Sequence, residues 1–355
     1  MNVTSGLTVE GLKSYGGDVG KENDIDPSSV LNEVDINLPQ VITTACCGIG
    51  HRLSRVLPVI IYANMQKRVV HNAWGDVPYN ALFNDNMYSK EGKKKQGKGI
   101  EMMYNEVPKS WGSYVKKNRV KVKMKGTAFD RYTFNQNLFD MPEAQALATT
   151  LRDAASPLVL SFLNGIRHQS VDQDIKLCLH VRMGNNETGD WNNKKWRHIA
   201  DIGSLMKNTV EAMESVVRNT KGVSSSTRVS VFTASDSKID LHVPEGWKII
   251  KPFKTLGKPK EGVWFGEHGS KTNANLTVSQ RNEAMAEALS DVLALGECDG
   301  LFIPNYSSFT VLSIILSRAR KRSVYFYHPL EETYFEMDSI IFGNETPAEY
   351  SFIPD

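Results

Sequence analysis

The sequence predicts an α/β protein built from two Rossmann-like units, and three observations carry that prediction. Short apolar, β-branched runs alternate with longer helical patterns through the second half, as strands separated by helices in a mostly parallel sheet do. A strand, a Gly-x-Gly turn, an apolar helix and a second strand open the first half, which is a βαβ beginning. At 355 residues the chain is also too long for one ordinary small core and suits a pair of domains.

Taken in order, residues 1–36 are rich in Gly, Ser, Asp and Asn without sustained periodicity and read as a flexible lead-in. Residues 39–44 give a strand, Cys46-Cys-Gly-Ile-Gly-His-Arg a glycine turn, residues 53–65 an apolar helix and residues 68–71 a second strand. Gly48 and Gly50 let a backbone come close to a ligand, and the helix start offers N–H groups to a phosphate, with His51 and Arg52 on the same spot. The third glycine of the dinucleotide fingerprint is missing, which argues against a nicotinamide or flavin site. The plain alternative for His51 and Arg52 is a solvated helix N-terminus. Residues 90–98 are lysine-dense and punctuated by glycine, as surface loops are, and residues 120–125 alternate apolar and basic like a half-exposed strand. Residues 141–168 look helical, with a kink or break at Pro157. The domain boundary falls there, so that 37–168 form the first Rossmann-like unit and 169–355 the second.

In the second unit, residues 175–181 read as a buried strand ending in His180, Val181 and Arg182. A helix over 202–218 follows, then a strand over 228–233 that runs into Asp236, and a short strand over 247–250. A polar loop with four glycines between 257 and 269 has the character of a lid. Helix 279–296, strand 300–303, the turn Pro304-Asn-Tyr-Ser-Ser-Phe309, helix 310–320 and strand 324–327 complete the pattern.

Composition excludes some classes. Hydrophobic residues make up 41% and charged residues 23%, as in ordinary globular chains. A net charge of +2 gives no global case for nucleic-acid binding. No run is long and apolar enough to span a bilayer, and the opening Met1-Asn-Val-Thr-Ser-Gly lacks a signal-peptide pattern. The expectation is a cytosolic protein, or one of the Golgi or ER lumen whose anchor lies outside these residues. Five Asn-x-Ser/Thr sequons, at Asn2, Asn186, Asn275, Asn305 and Asn344, do not settle the compartment. Cys46, Cys47, Cys178 and Cys298 show no paired metal spacing. Adjacent Cys46 and Cys47 cannot easily bridge each other, and Cys178 and Cys298 fall in core contexts, so all four read as reduced thiols.

Three polar features stand at strand ends of the second unit: His180 with Arg182, Asp236, and the pair Ser307-Ser308 opening a helix. In parallel strands all three share the carboxyl rim, where ligands of open α/β sheets bind. A carboxylate accepts hydrogen bonds from a ribose or a guanine edge, hydroxyls and helix-start N–H groups suit a phosphate, and an arginine grips a diphosphate with two donors. Singly, each has a plain reading: Arg182 a core ion pair, His180 a packed support, Asp236 and Ser307 helix caps. Jointly they favour a nucleotide-diphosphate site.

These same stretches carry a family resemblance. Leu179-His-Val-Arg-Met-Gly184, Val231-Phe-Thr-Ala-Ser-Asp-Ser237 and Asp291-Val-Leu-Ala-Leu-Gly-Glu-Cys-Asp-Gly-Leu-Phe-Ile-Pro-Asn-Tyr-Ser-Ser-Phe-Thr310 look like successive motifs of a fucosyltransferase superfamily. It groups protein O-fucosyltransferases, α1,6-fucosyltransferases, bacterial nodulation fucosyltransferases and plant wall fucosyltransferases. Gly48-Ile-Gly-His-Arg-Leu53 resembles its N-terminal motif, and the matches run in family order from about residue 43 to 327. The resemblance implies a GT-B fold with two Rossmann-like domains facing across a cleft. It also implies GDP-fucose as donor, inversion on transfer to a glycan or protein hydroxyl, and no obligatory metal or other cofactor. Arg182 matches the arginine that holds the β-phosphate and aids departure of GDP. His180 matches the histidine before it, Asp236 the acid on the nucleoside, and Ser307, Ser308 and Phe309 the phosphate loop. There are departures: His51 stands where several members have an asparagine that touches the donor, and Asp190-Trp191 follows the arginine motif only after a long polar spacer.

A metal-using transferase would show paired acids after a strand; Asp172-x-Asp174 precedes one and reads as a solvated turn. Candidates for a base that takes the acceptor proton are Asp76, Asp190, Glu267 and His268, all in loops expected near the cleft. Two alternatives stay open: a GT-B transferase with another nucleotide-sugar donor, and a nucleotide-sugar-binding protein that has lost turnover. A two-domain α/β oxidoreductase is disfavoured by the incomplete glycine fingerprint.

Overall fold

The computed structural model describes residues 40–44, 48–50, 52–53, 56–57, 69–73, 79–84, 99–102, 139, 142–171, 174–182, 201–220, 227–235, 239–252, 276–304, 307–328 and 332–337. The lead-in, the lysine-dense stretch, residues 120–125 and the glycine-punctuated loop after residue 252 lie outside them.

Two sheets form. Strands β1 (Gln40–Thr44), β2 (Val69–Ala73) and β3 (Gly99–Met102) make a parallel sheet in the order β2-β1-β3. Strands β4 (Ile175–Val181), β5 (Val229–Ser235), β6 (Lys248–Ile250), β7 (Gly300–Ile303), β8 (Ser323–His328) and β9 (Thr333–Glu336) make the larger one, in the order β6-β5-β4-β7-β8-β9. All its neighbours are parallel except β8 and β9. The α/β class with Rossmann-like strand order is as the sequence predicts. Strands β3 and β9 are additions that no periodicity announced.

Helices cover both faces of the larger sheet. Alternate residues of β4 point to opposite sides. Leu177, Leu179 and Val181 join Val229, Val231 and Phe302 in packing against Leu205, Met206 and Met213 of α3 (Ile202–Asn219). On the other face Cys178, Phe232, Ile250, Leu301 and Val324 belong to the main core. That core also takes in α1 (Pro142–Asp153), α2 (Pro157–Arg167), α4 (Val278–Leu295) and α5 (Val311–Ala319). Fully buried leucines such as Leu163, Leu289 and Leu293 each contribute roughly 1.5–3 kcal/mol by leaving water.

The expected break at Pro157 is a clean one. Proline suits the first turn of a helix, and Ser156 caps α2 by accepting the Val159 N–H at 3.3 Å. The gap between α1 and α2 ties down residues 81–84. Ser156 N–H donates to Leu82 O at 2.8 Å, Asn84 N–H to Ala154 O at 2.6 Å, and the Ser156 hydroxyl to Ala81 O at 2.9 Å. Helices α1 and α2, which precede residue 168, pack on α5 and α4 of the second half.

Two sequence expectations are corrected. Cys178 and Cys298 are not reduced thiols: they form a disulfide with Cα atoms 5.8 Å apart. A pairing across 120 residues leaves no mark in cysteine spacing, which is why the sequence hid it. Asp174 is not in a solvated turn. It is 8% exposed, and its carboxylate accepts from the Ser230 hydroxyl at 2.7 Å and the Val171 N–H at 3.1 Å and pairs with Arg228 at 3.0 Å.

Candidate functional site at the carboxyl rim

The chain leaves β4 for β5 and β6 on one side, then returns to place β7 and β8 on the other. The order therefore reverses between β4 and β7, and the crevice outside their carboxyl ends is the topological switch point of the sheet. His180, Arg182, Ser307 and Phe309 lie at or just beyond the carboxyl ends of these two strands.

His180, the penultimate residue of β4, is 4% exposed. Its Nδ1 lies 3.2 Å from the Ala234 carbonyl oxygen on β5. A carbonyl only accepts, so Nδ1 carries the proton there and, in the neutral ring, Nε2 is the acceptor nitrogen. The imidazole stacks on Phe309, with centroids 5.0 Å apart and planes 18° from parallel. Phe309 belongs to the 3-10 turn Ser308–Thr310, which follows β7 and leads into α5. This contact joins the ends of the two strands that flank the switch point.

Arg182 leaves β4 one residue beyond the strand and is half-buried. The register pairs Val181 with Ser235, so Arg182 and Asp236 each follow one member of the same pair. Asp236 itself lies outside the described residues.

Ser307 fulfils its plain reading as a cap. Its hydroxyl oxygen accepts the Phe309 N–H at 3.2 Å, and its carbonyl accepts the Thr310 N–H at 3.1 Å and the Thr310 hydroxyl at 2.9 Å. A hydroxyl that accepts in this way retains a proton to donate. Ser308 is part of the turn. At the start of α5, Thr310 makes no side-chain cap bond to the helix.

Gly48, Gly50 and Arg52 follow β1, a strand of the smaller sheet, in the chain. Helical structure begins at Ile49, so Gly50 lies in the first turn rather than in a loop before it. A Cβ added to Gly48 would meet nothing within 4 Å among the described residues. Arg52 is fully buried, unlike a solvated helix-start cation, and a buried guanidinium needs partners to be held there. His51 and the base candidates Asp76, Asp190, Glu267 and His268 lie outside the described residues.

Among the described residues no group of three or more His, Cys, Asp and Glu stands together as a metal site. No described helix is long and apolar enough to cross a membrane. The stacking of His180 on Phe309 was beyond sequence reasoning, because adjacency of two strand ends depends on sheet order.

No protein-family model matches the chain, and no curated protein matches its sequence. Solved structures do resemble it. Fucosyltransferase NodZ from Bradyrhizobium is 14% identical at a TM-score of 0.43, over 84% of this chain and 99% of that one. FUT1 of Arabidopsis thaliana in complex with GDP is 12% identical at 0.41, over 89% and 77%. POFUT1 is 10% identical at 0.38, over 83% and 99%. The chain is similar in fold to these fucosyltransferases, but likenesses this distant bear no weight on activity. Its own strand order makes it an α/β protein with a Rossmann-type switch point between β4 and β7.

Proposed function

We propose that the chain is a glycosyltransferase of GT-B type. It would bind a nucleoside-diphosphate sugar at the β4–β7 switch point and move fucose from GDP-fucose to a glycan or protein hydroxyl, with inversion and without a metal. The observation that carries this reading is the meeting of His180 with Phe309 at 5.0 Å, which joins the arginine-bearing strand end to the serine turn at one crevice. Residues 169–355 would hold the nucleotide and residues 37–168 the acceptor side.

The chemistry needs these groups. Breaking a sugar–diphosphate bond builds negative charge on the leaving phosphate and positive charge on the sugar. Donors already oriented toward that phosphate lower the barrier more than water can, because they need no reorganisation. Arg182 supplies a guanidinium that takes two phosphate oxygens at once. Hydroxyls of Ser307 and Ser308 and the N–H groups at the start of α5 suit the second phosphate. His180, fixed by the Ala234 carbonyl and Phe309, holds the floor of the crevice, and Asp236 would accept from the nucleoside. Gly48, with no side chain of its own, would let donor or acceptor come close to the backbone after β1.

A dinucleotide-dependent reading fits less well. The turn after the first strand of such a unit carries Gly-x-Gly-x-x-Gly, whereas here Arg182-Met-Gly-Asn-Asn186 follows β4.

The test is a donor panel (GDP-fucose, GDP-mannose and UDP-sugars) against mixed glycan and peptide acceptors, read by mass spectrometry with and without EDTA. The expected result is a deoxyhexose added from GDP-fucose, undiminished by EDTA. Transfer from a UDP-sugar alone, or GDP binding without any transfer, would contradict it.

A further inference from the structure

The disulfide between Cys178 and Cys298 is buried in the folded protein. Cys178 is the fourth residue of β4, flanked by Phe232 of β5 and Leu301 of β7 in the sheet register, and is 0% exposed. Cys298 is 4% exposed in the short connection from α4 to β7. Both sulfurs rest against one carbonyl in the last turn of α4, Ala294 O, at 3.7 and 3.6 Å. The Cα separation of 5.8 Å is within the ordinary span of a disulfide, so the backbones need not move to accommodate it.

The surroundings close the same place again by non-covalent means. Arg167 of α2 makes a bidentate ion pair with Glu297, next to Cys298. Asp299, on the other side, accepts the Lys176 N–H at 2.9 Å and donates its own N–H to Lys176 O at 2.7 Å. The cysteine thus sits in a connection pinned from both flanks, and opening it for thiol exchange means unpacking the core between α2, α4 and β4.

We propose that Cys178 and Cys298 are joined as the core forms, and that this chain is therefore made in an oxidising compartment: a secretory lumen, a periplasm or the cell exterior. The reaction is thiol–disulfide exchange. The two thiols lose two protons and two electrons to an external disulfide, small-molecule or protein-borne, which is released as two thiols. Exchange requires a thiolate to reach a sulfur, and the burial of both cysteines after folding opposes that. The bond is a permanent staple across 120 residues rather than a redox switch, and reducing compartments, which keep accessible thiols reduced during folding, would leave it unmade. The inference is independent of the reaction the carboxyl rim performs.

The experiment makes the full chain in an oxidising and in a reducing host compartment. Each product is alkylated under denaturing, non-reducing conditions and its peptides mapped, and melting points are compared with and without dithiothreitol. Protein from the oxidising host should yield a linked Cys178–Cys298 peptide that dithiothreitol opens only when denaturant is present. It should melt several degrees above protein from the reducing host. A Cys178→Ala, Cys298→Ala double variant controls for lost packing: its melting point should be the same from both hosts and indifferent to reductant. Free thiols at both positions in oxidising-host protein would overturn the proposal. So would reduction as fast in native buffer as in denaturant, or equal melting points from the two hosts.

Discussion

The two rims of the six-stranded sheet use the same kinds of side chain for opposite ends. At the amino rim, polar groups bind one another. Asp174 takes Arg228, Ser230 and the Val171 N–H, while Asp299 takes the Lys176 N–H and pairs with Arg322 at 3.1 Å. These ties stitch the starts of β4, β5, β7 and β8 together. At the carboxyl rim an arginine, a histidine and a serine turn surround the point where strand order reverses, and His180 and Phe309 are held in stacking contact there. The amino rim stabilises, and on the function proposed above the carboxyl rim receives a ligand. Position in the sheet, rather than residue type, separates the two.

That contrast can be broken by substitution. Arg182→Ala should cost the largest effect, about 10²–10³-fold in transfer rate, as removal of one preorganised charge-stabilising donor does. Its melting point should stay near that of the parent; a collapse of the fold instead would make Arg182 a structural ion-pair residue. Asp174→Ala should do the reverse. It strands the buried Ser230 hydroxyl and should lower stability by about 1–3 kcal/mol, seen in urea unfolding, while GDP affinity and transfer hold.

The same carboxylate gives a pH signature. Burial pushes the Asp174 pKa up, but hydrogen bonds from Ser230 and Val171 and the charges of Arg228 and Lys176 outweigh it and leave it below the ordinary value. A depressed acid contributes stability that is fully present above its unfolded pKa, about 3.9, and lost as pH falls through the folded one. The stability gap between the parent and Asp174→Asn should therefore be full at pH 6 and narrow toward pH 3. A gap that widens on acidification would mean the carboxyl is protonated in the fold.

Ser307→Ala is the smallest change. Losing the cap on the Phe309 N–H should cost about 1 kcal/mol of stability and weaken GDP binding several-fold, measured by calorimetry. An unaltered GDP affinity would reduce Ser307 to a cap alone.

Most of the six-stranded sheet and its helices was legible in the sequence because the strands are short β-branched runs bounded by polar turns and the helices keep a regular apolar spacing. That His180 stands near the end of a buried strand and Arg182 follows it was legible, because charged groups at the tips of buried strands are conspicuous. Strand β9 was not, because its antiparallel return to β8 uses Glu332 at φ 50° where a glycine would have advertised a turn. Asp174 was misread because its partners Arg228 and Ser230 belong to the neighbouring strand segment and are far off in sequence. Contact across a sheet is set by strand order, which no local pattern encodes.

The central claim is that a nucleoside diphosphate binds at the carboxyl rim, and hydrogen exchange tests it most directly. Amide exchange would be compared with and without saturating GDP. The expected result is slowed exchange at residues 180–184 and 304–312, with the amino-rim segments 171–176 and 297–300 unchanged. Protection at the amino rim, or GDP binding that leaves both carboxyl-rim segments unaltered, would contradict it.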